Sequence, residues 1–423
     1  MKPTIASVKG TRDFYPEEMA VRNFLYSTAR KVSESFGYQE WDAPFLETID
    51  RYAAKSGEEL VKEQAFVFPD RGGDLITLRP ELTPSLARLV AQRQRGLTYP
   101  LRWWSWGPFW RYERPQKGRT REFFQWNIDL IGVDTPQADA EMIAIAAAFL
   151  RGAGLMPEQV NLLVNNRKLI NTELGALGIA PERRKEVIKL VDRRDKLAAA
   201  AWEAQAAEIG LDAAQLDGLK ALLDDRELWR KSPELTTTFA MIEALGLGAY
   251  VRFAPHIIRG LDYYTGTVFE CWDRDGEFRA ILGGGRYDNL VSDVGGEPLP
   301  AVGFAMGDLV ISLVLKKFGC IPGDTGDSPA KVLVTVFDEG SMAASFRLAA
   351  ELREQGFKTA VYPESAKLAR QFKYGDKMGM RAALVLGPDE LAAGNVALKD
   401  LRSGEQQVIP AAELAGALAK LLA

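Results

Sequence analysis

The chain has 423 residues, which at roughly 150 residues per domain suggests two or three domains. It carries 53 lysines and arginines against 57 aspartates and glutamates, and this near balance excludes a histone-like polycation. Contacts with nucleic acid must therefore come from local basic patches. A single histidine, His256, excludes HExxH zinc sites and multi-histidine metal sites and leaves almost no room for a Ser-His-Asp triad. Any catalysis must therefore depend on other polar side chains, on backbone dipoles or on a metal ion that binds from solution.

The sequence gives no sign of a membrane segment or a secretion signal. The longest wholly apolar run, Met142 to Leu150, is far shorter than the ~20 residues that span a bilayer. The first residues lack the apolar region of a signal peptide. Two cysteines, Cys271 and Cys320, provide no disulfide framework and fit a reducing compartment. We therefore expect a cytoplasmic protein with no membrane partner.

Along the first three quarters of the chain, the pattern predicts a mixture of helices and antiparallel strands. A helix begins near Pro16, with Glu17 and Glu18 in its first turn, where the helix dipole favours acidic residues. Residues 96–131 and 250–306 are rich in aromatic and β-branched residues with glycine punctuation, which is typical of strands. Between them lies a charged, alanine-rich stretch at about 175–245. This stretch predicts a helical insertion between two halves of one sheet.

A change of pattern follows a linker at 321–330, which is rich in proline, glycine and aspartate. Beyond it, strands alternate with helices, which predicts a small α/β domain with a mainly parallel sheet over 331–423. The predicted strands are 331–337, 358–362 and 382–387, the helices are 341–355, 365–374 and 411–422, and a hairpin spans 395–410. The preceding residues, 1–320, form the other predicted domain.

A first candidate site lies in the predicted hairpin of residues 110–130. Period-2 alternation places Arg111 and Glu113 on one face of its first strand, and Gln125 and Asp129 on the polar face of the returning strand. Five cations crowd the hairpin: Arg111, Arg114, Lys117, Arg119 and Arg121. A half-solvated hairpin with ordinary surface charges would explain this pattern. Because arginine is the preferred bidentate partner of phosphate, the hairpin also fits a substrate that carries both phosphate and amine.

Three further segments have polar residues in suggestive positions. RGLDYYTGTVFE at 259–270 is followed by GGGRYD at 283–288, where glycines allow close backbone approach to a ligand or simply form a turn. LRPELT at 78–83 offers a carboxylate and a hydroxyl, or only a helix start. The strand 301–307 leads into a helix at 308–317, whose N-terminus could bind phosphate unless Asp308 caps it. Neither a P-loop nor a dinucleotide-binding fingerprint is present.

Taken together, these segments resemble the class II aminoacyl-tRNA synthetases, and specifically the histidyl-tRNA synthetase family. KGTRD at 9–13 resembles the N-terminal signature of the family, Pro44 matches the motif 1 proline, and RYERPQKGR at 111–119 resembles motif 2. RGLDYYTGTVFE and GGGRYD resemble the two histidine-specific motifs. The resemblance implies an α+β catalytic domain, in which helices flank an antiparallel sheet, and an anticodon-binding-like α/β tail. It also implies a homodimer.

The resemblance assigns roles to individual residues. Arg111 is implied to hold the α-phosphate of ATP, Glu113 the adenine amino group, and Arg119 the β- and γ-phosphates. Arg259 is implied to stand between the histidine carboxylate and the α-phosphate, so that Arg259 and Arg111 form the catalytic pair. The residues implied to bind histidine are Glu81, Thr83, Arg111, Gln125, Asp129, Arg259, Tyr263, Tyr264 and Tyr287. No protein side chains are implied to bind a metal, and Mg²⁺ enters with ATP.

The implied activity is ATP-dependent activation of L-histidine to histidyl-adenylate, followed by transfer to tRNA(His). Two arginines beside the reacting phosphorus would stabilise its developing charge without any general base. Two positions depart from the family pattern. Motif 3 usually carries an arginine for the γ-phosphate, and here Val310 takes its place; Thr120 replaces a more usual tyrosine. Either Arg119, Lys117 and Mg²⁺ carry that charge, or ATP binds more weakly.

Two other functions remain open at the level of sequence. One is a non-catalytic, histidine-sensing regulatory paralogue that serves ATP phosphoribosyltransferase, which the missing motif 3 arginine favours. The other is an RNA-binding protein with a vestigial synthetase fold. In the tail, six cations lie between Lys358 and Arg381, with Phe372 and Tyr374 among them as candidate stacking platforms for RNA bases. A solvated helix face with core aromatics would explain these tail residues equally well.

Overall fold

The structure, a computed structural model, describes residues 5–49, 64–194, 197–258, 263–289, 291–323 and 326–423. The chain divides into two compact units. The first comprises Met1–Asp13 and Arg22–Ile321, and the second comprises Phe14–Val21 and Pro322–Ala423. Within the described ranges, no helix is long and apolar enough to cross a membrane.

An eight-stranded sheet forms the centre of the first unit, in the order β1-β5-β6-β11-β10-β9-β7-β8. The inner pairs are antiparallel, and only the outer pairs β1–β5 and β7–β8 are parallel. Strands β2, β4 and β3 form a separate small sheet. The bounds are β1 Gln39–Glu40, β2 Leu46–Thr48, β3 Phe66–Pro69, β4 Leu75–Leu78, β5 Leu101–Trp110, β6 Glu122–Ile131, β7 Val160–Asn166, β8 Val251–Phe253, β9 Thr267–Asp273, β10 Leu282–Tyr287 and β11 Ala301–Gly307.

Helices flank this sheet and also form the predicted insertion. Those outside the insertion are α1 Pro16–Ser35, α2 Thr83–Arg93, α3 Pro136–Gly152 and α9 Asp308–Lys317. Between β7 and β8 the chain forms α4 Arg167–Ala176, α5 Pro181–Asp192, α6 Ala199–Glu208, α7 Ala213–Asp224 and α8 Pro233–Ala244. The predicted fold class, an α+β domain with a helical insertion, is therefore confirmed.

The core of the first unit lies between the sheet and α3. Pro136 opens this helix, and the Thr135 Oγ1 accepts a hydrogen bond from the Ala138 N–H, so the first turn is capped. The apolar run at 142–150 is buried on nearly every side of the helix, which explains why it lacks an amphipathic pattern. Trp126 of β6 packs against Phe149 of α3 with ring centroids 5.1 Å apart. Such aromatic pairs add about 0.5–1.5 kcal/mol beyond their buried area.

The second unit contains a five-stranded sheet in the order β13-β12-β14-β15-β16. Its first three strands are parallel and its last two continue as an antiparallel hairpin. The strands are β12 Val332–Val334, β13 Thr359–Val361, β14 Ala382–Val385, β15 Asn395–Asp400 and β16 Gln406–Pro410. The helices are α10 Met342–Glu354, α11 Leu368–Lys377, α12 Pro388–Ala393 and α13 Leu414–Leu422. The short helix α12 was not predicted, because six residues are too few to show a helical period.

The hairpin prediction was correct in its strands and wrong in how far they extend. Strand β5 ends at Trp110 and β6 begins at Glu122, so Arg111 and Glu113 do not lie on a strand face. The Glu113 N–H donates to the Arg111 carbonyl oxygen at 2.7 Å instead of to the opposite strand, and this local turn ends the ladder. Residues 111–121 therefore form a loop, which we call the motif 2 loop.

Candidate active site

Two polar side chains predicted to share a face of β6 lie above glycines of the neighbouring strand. Asp129 pairs with Gly303 of β11, and Gln125 pairs with Gly307. A Cβ atom on Gly303 would lie 2.1 Å from the Asp129 Oδ1, so only glycine leaves room for this carboxylate. Gly303 in turn pairs with Gly285 of β10, where a Cβ atom would lie 2.9 Å from the Tyr264 ring. The two glycines thus leave room for the Asp129 carboxylate and the Tyr264 ring.

Three tyrosines cluster with Asp129. The Tyr287 hydroxyl donates a hydrogen bond to the Asp129 Oδ1 at 2.6 Å. The ring of Tyr263 lies edge-on to Tyr287, with centroids 6.1 Å apart, and 4.7 Å from the ring of Tyr264. Asp129 is 8% exposed and Tyr287 is 4% exposed. The structure therefore brings together four of the residues that were predicted to bind histidine, in one largely buried pocket.

Burial changes the acidity of the Asp129–Tyr287 pair. Loss of hydration raises the pKa of Asp129 to about 7, although the hydrogen bond from Tyr287 acts in the opposite direction. Burial, together with the neighbouring Asp129 charge, raises the pKa of Tyr287 well above its usual value. The phenol thus remains a donor at neutral pH, while the carboxyl group can either accept or donate a proton there. Such a pair can read a nitrogen heterocycle through hydrogen bonds.

The motif 2 loop holds the three residues predicted to bind ATP. The Arg111 Nε donates to the Pro80 carbonyl oxygen at 3.0 Å, and its guanidinium lies 5.4 Å from the Phe123 ring centroid. The Glu113 carboxylate forms an ion pair with the Arg119 Nε at 2.5 Å. These contacts place Arg111 against the LRPELT segment and keep Glu113 and Arg119 together.

The N-terminal KGTRD segment supports the same loop. The Gly10 carbonyl oxygen accepts hydrogen bonds from the Arg121 and Glu122 N–H groups at 2.8 and 3.2 Å. The Asp308 Oδ2 pairs with Arg12 at 2.7 Å, and its Oδ1 accepts the Phe124 N–H at 2.9 Å. Asp308 therefore joins the N-terminal segment to β6 and does not act as the cap of α9.

The LRPELT segment depends on an arginine that sequence reasoning did not single out. Arg79 is fully buried between the rings of Phe45 and Phe109, and its Nε donates to the Pro108 carbonyl oxygen at 3.0 Å. Its Nη1 also pairs with Asp42 at 2.6 Å. No spacing in the sequence indicated this role, because its partners come from two distant segments, 42–45 and 108–109.

The half-buried Glu81 and Thr83 follow Arg79 at the start of α2. The alternative interpretation of LRPELT was a helix start, and helix α2 does begin at Thr83. Within the described chain, however, its N-cap residue, Leu82, makes no side-chain capping bond. The helix start therefore does not account for the polar character of these two residues.

The two histidine-specific motifs each contain an arginine, Arg259 in the first and Arg286 in the second. Arg259 lies outside the described residues. Arg286 is buried and directed away from the tyrosine pocket: its Nε and Nη2 donate to the Asp139 Oδ1 at 2.9 and 2.6 Å. Its Nη1 donates to the Val133 carbonyl oxygen at 2.9 Å. Arg286 therefore anchors β10 to the start of α3.

Comparisons with known proteins agree with this geometry. The family model for histidyl-tRNA synthetase matches residues 10–308, and the model for the anticodon-binding domain matches residues 331–421. The histidine–tRNA ligase from Halobacterium salinarum is 37% identical to the chain, and the match covers 97% of the chain and 97% of the ligase. The histidine–tRNA ligase from Thermoplasma volcanium is 38% identical, and the match covers 98% of the chain and 99% of the ligase. The crystal structure of histidyl-tRNA synthetase from Nostoc sp. PCC 7120 has a TM-score of 0.86, is 26% identical, and covers 99% of this chain and 100% of its own. The chain therefore belongs to the histidyl-tRNA synthetase family of class II aminoacyl-tRNA synthetases.

Proposed function

We propose that the protein activates L-histidine with Mg·ATP as histidyl-adenylate and transfers the histidyl group to tRNA(His). One observation carries the proposal: the buried Asp129 carboxyl group, hydrogen-bonded to the Tyr287 phenol of β10, lies on β6, the strand that follows the arginine-bearing motif 2 loop. Membership of the family supports the overall activity. The assignment of individual residues and steps is our proposal.

Histidine is bound at both of its ends. Asp129 accepts an imidazole N–H, and the hydroxyls of Tyr264 and Tyr287 complete the contacts to the ring, with Tyr263 packed beside them. The α-amino group is bound by Glu81, Thr83 and Gln125. Because an apolar side chain would leave the buried Asp129 and Tyr287 without their ligand contacts, such a pocket rejects apolar amino acids strongly.

ATP is bound by the motif 2 loop. Arg111 holds the α-phosphate, Glu113 accepts the adenine amino group, and Arg119 contacts the β- and γ-phosphates. The ion pair between Glu113 and Arg119 holds both side chains at one place before the nucleotide arrives. Mg²⁺ accompanies ATP as part of the substrate.

The first step needs no proton acceptor. A carboxylate oxygen of histidine attacks the α-phosphorus, the bond to the bridging oxygen of the β-phosphate breaks, and pyrophosphate leaves with that electron pair. Arg111, with Arg259 from the segment outside the described residues, stabilises the charge that gathers on the phosphorus. In the second step a ribose hydroxyl at the end of the tRNA attacks the carbonyl carbon, and the bond from that carbon to the phosphate oxygen of the adenylate breaks. The hydroxyl proton passes to a phosphate oxygen, and AMP leaves with it.

The tail unit binds the tRNA. Tyr374 is 42% exposed and its ring lies edge-on to Tyr362, so one face remains open to an unpaired base. Phe372 differs, because it packs against the core cluster of Leu333 and Ala383. We therefore assign the stacking role to Tyr374 alone, and we propose that the working form is a cytoplasmic homodimer.

The regulatory paralogue is not favoured. Proteins named histidine–tRNA ligase match the chain over 97% and 98% of its length, and the match includes the anticodon-binding domain. A sensor of histidine alone has no use for a tRNA-binding tail.

Exchange of labelled pyrophosphate into ATP tests the proposal directly. The protein is incubated with ATP, labelled pyrophosphate and each amino acid in turn. We expect exchange with histidine alone, because the Asp129–Tyr287 pair is matched to a ring with hydrogen-bonding nitrogens. Exchange without any amino acid, or with many, contradicts the proposal; histidine binding without exchange points to the sensor.

A further inference from the structure

The motif 3 position offers no cation to the terminal phosphate of ATP. Val310 lies in the first turn of α9 and is 9% exposed. A Cβ atom placed on Gly118 of the motif 2 loop would lie 3.5 Å from the Val310 Cγ2. The side chain at position 310 thus packs directly beneath the loop that carries Arg119, where an apolar group cannot pair with an anion.

A second segment packs against the same loop. The connection between β9 and β10, residues 274–281, carries Glu277, whose carboxylate pairs with the Lys117 Nζ at 3.1 Å. The next residue, Phe278, has its ring centroid 4.7 Å from the same nitrogen. This connection therefore packs against the motif 2 loop at Lys117, and the exposed Arg279 follows Phe278 within it.

Arg279 is close to the ATP-binding residues but not neutralised by them. Among the described residues, Arg279 makes no hydrogen bond and no ion pair, whereas Arg119 is paired with Glu113. Partial loss of hydration lowers the pKa of Arg279, and the positive charge of Arg119 lowers it further, against the attraction of Glu113. Two guanidinium groups held near each other repel, and an anion between them would relieve that repulsion.

We propose that Arg279 binds the γ-phosphate of ATP and replaces the motif 3 arginine, whose position is held by Val310. The inference rests on the proposed function, since it deepens the ATP site of that reaction. Of Lys117, Arg119 and Arg279, the first two are paired with Glu277 and Glu113, so among these three described residues Arg279 has its hydrogen-bond donors available. The connection that carries Arg279 also contacts α9, where the Lys317 Nζ lies 3.3 Å from the Glu277 Oε2.

Nucleotide binding and exchange kinetics test the proposal together. Arg279→Ala should raise the KM for ATP and the Kd for ATP by roughly 10- to 100-fold, as expected for a lost hydrogen bond to a charged group. The Kd for AMP, which lacks the β- and γ-phosphates, should stay within about twofold of the unmodified protein. Lys316→Ala is the matched control, because Lys316 is an exposed cation on α9 that forms no ion pair among the described residues.

A rescue variant tests position as well as charge. Introducing Val310→Arg into the Arg279→Ala protein should restore much of the ATP affinity, since the new guanidinium would reach the same phosphate from α9. If Arg279→Ala binds ATP like the unmodified protein, or loses ATP and AMP affinity equally, the proposal is wrong. A failure of the proposed function would look different: the unmodified protein would show no histidine-dependent exchange, while the ATP and AMP affinities would still decide the role of Arg279.

Discussion

Asp129 shows how strongly one buried carboxyl group can depend on its surroundings. Its pKa lies at about 7 because burial outweighs the hydrogen bond from Tyr287. In the unfolded chain the same group ionises near pH 4. Between these values the folded protein holds a proton that the unfolded chain has released, so the free energy of unfolding falls as pH rises.

We therefore expect the pH dependence of stability to change in Asp129→Asn. The asparagine variant should gain up to roughly 4 kcal/mol relative to the unmodified protein between pH 4 and pH 7.5, because it lacks the ionisation penalty. Urea unfolding at a series of pH values measures this difference. Glu208→Gln, at an exposed helix end, provides the control. If the difference in the free energy of unfolding between the two proteins were constant across this pH range, folding would not raise the pKa of Asp129.

The same substitution should also weaken histidine binding without affecting ATP. An amide at position 129 keeps the shape of the side chain but loses the charge that favours an imidazole N–H. We expect the KM for histidine to rise by about tenfold or more, with the KM for ATP unchanged, in exchange assays near neutral pH. Unchanged histidine affinity would assign recognition of the ring to the tyrosines instead.

Gly303 is the residue on which this carboxylate depends most directly. Gly303→Ala would place its Cβ atom 2.1 Å from the Asp129 Oδ1 and 2.6 Å from the Ile128 carbonyl oxygen. We expect a loss of about 1–3 kcal/mol in the free energy of unfolding, as for other overpacked sites, and a loss of histidine binding. Gly307→Ala is the control on the same strand, because no described atom lies within 4 Å of its added Cβ. Equal stability of the two variants would contradict this account.

Among the elements, β11 and α9 meet at a residue that supports two neighbours. Asp308 pairs with Arg12 and also accepts the Phe124 N–H. Asp308→Ala should lower the free energy of unfolding by about 1–3 kcal/mol, and by more than Arg12→Ala, because it removes the acceptor of both donors. A double-mutant cycle by urea unfolding measures the coupling between the two side chains. Strictly additive effects would show that the ion pair contributes nothing to stability.

The sequence predicted elements well wherever local pattern and end signals agreed. The strand 301–307 and the helix 308–317 were predicted with the bounds that the structure has, because an apolar strand stops where an acidic helix start begins. The ends of the motif 2 loop were not predictable from the sequence. At one end the Glu113 N–H donates within the loop to the Arg111 carbonyl oxygen, and at the other the Arg121 N–H donates to the carbonyl oxygen of Gly10, which is far away in the chain. Alternation alone cannot reveal such partners.

The same distinction between local patterns and long-range contacts applies to the residues of the candidate site. The three tyrosines were predicted because they lie in the two histidine-specific motifs, and Asp129 because it lies on the polar face of the predicted hairpin. The structure brings these four side chains together. Arg79 and Arg279 were not singled out, because the buried environment of Arg79 and the proposed role of Arg279 both depend on segments that are distant in the chain. Neither residue type nor spacing carries that information.

For the whole molecule, the proposed chemistry and the proposed tRNA contact lie in different compact units. Tyr374→Ala in the tail should therefore raise the KM for tRNA by about tenfold, since stacking of one base contributes roughly 1–3 kcal/mol. Histidine-dependent pyrophosphate exchange should stay unchanged. Phe346→Ala, which removes another exposed aromatic ring from the same unit, is the control. A fall in exchange equal to the fall in charging would contradict this separation.

The paired glycines Gly303 and Gly285 bear on which part of the fold determines amino acid selectivity. Their missing side chains, at paired positions of two strands, set the dimensions of the tyrosine pocket. The room for the Asp129 and Tyr264 side chains is therefore fixed by the hydrogen-bonded ladder of the sheet and not by a surface loop. A lineage that changed its amino acid preference on this scaffold would have to rebuild the interior of the sheet, at a cost in stability, before any exposed residue could matter.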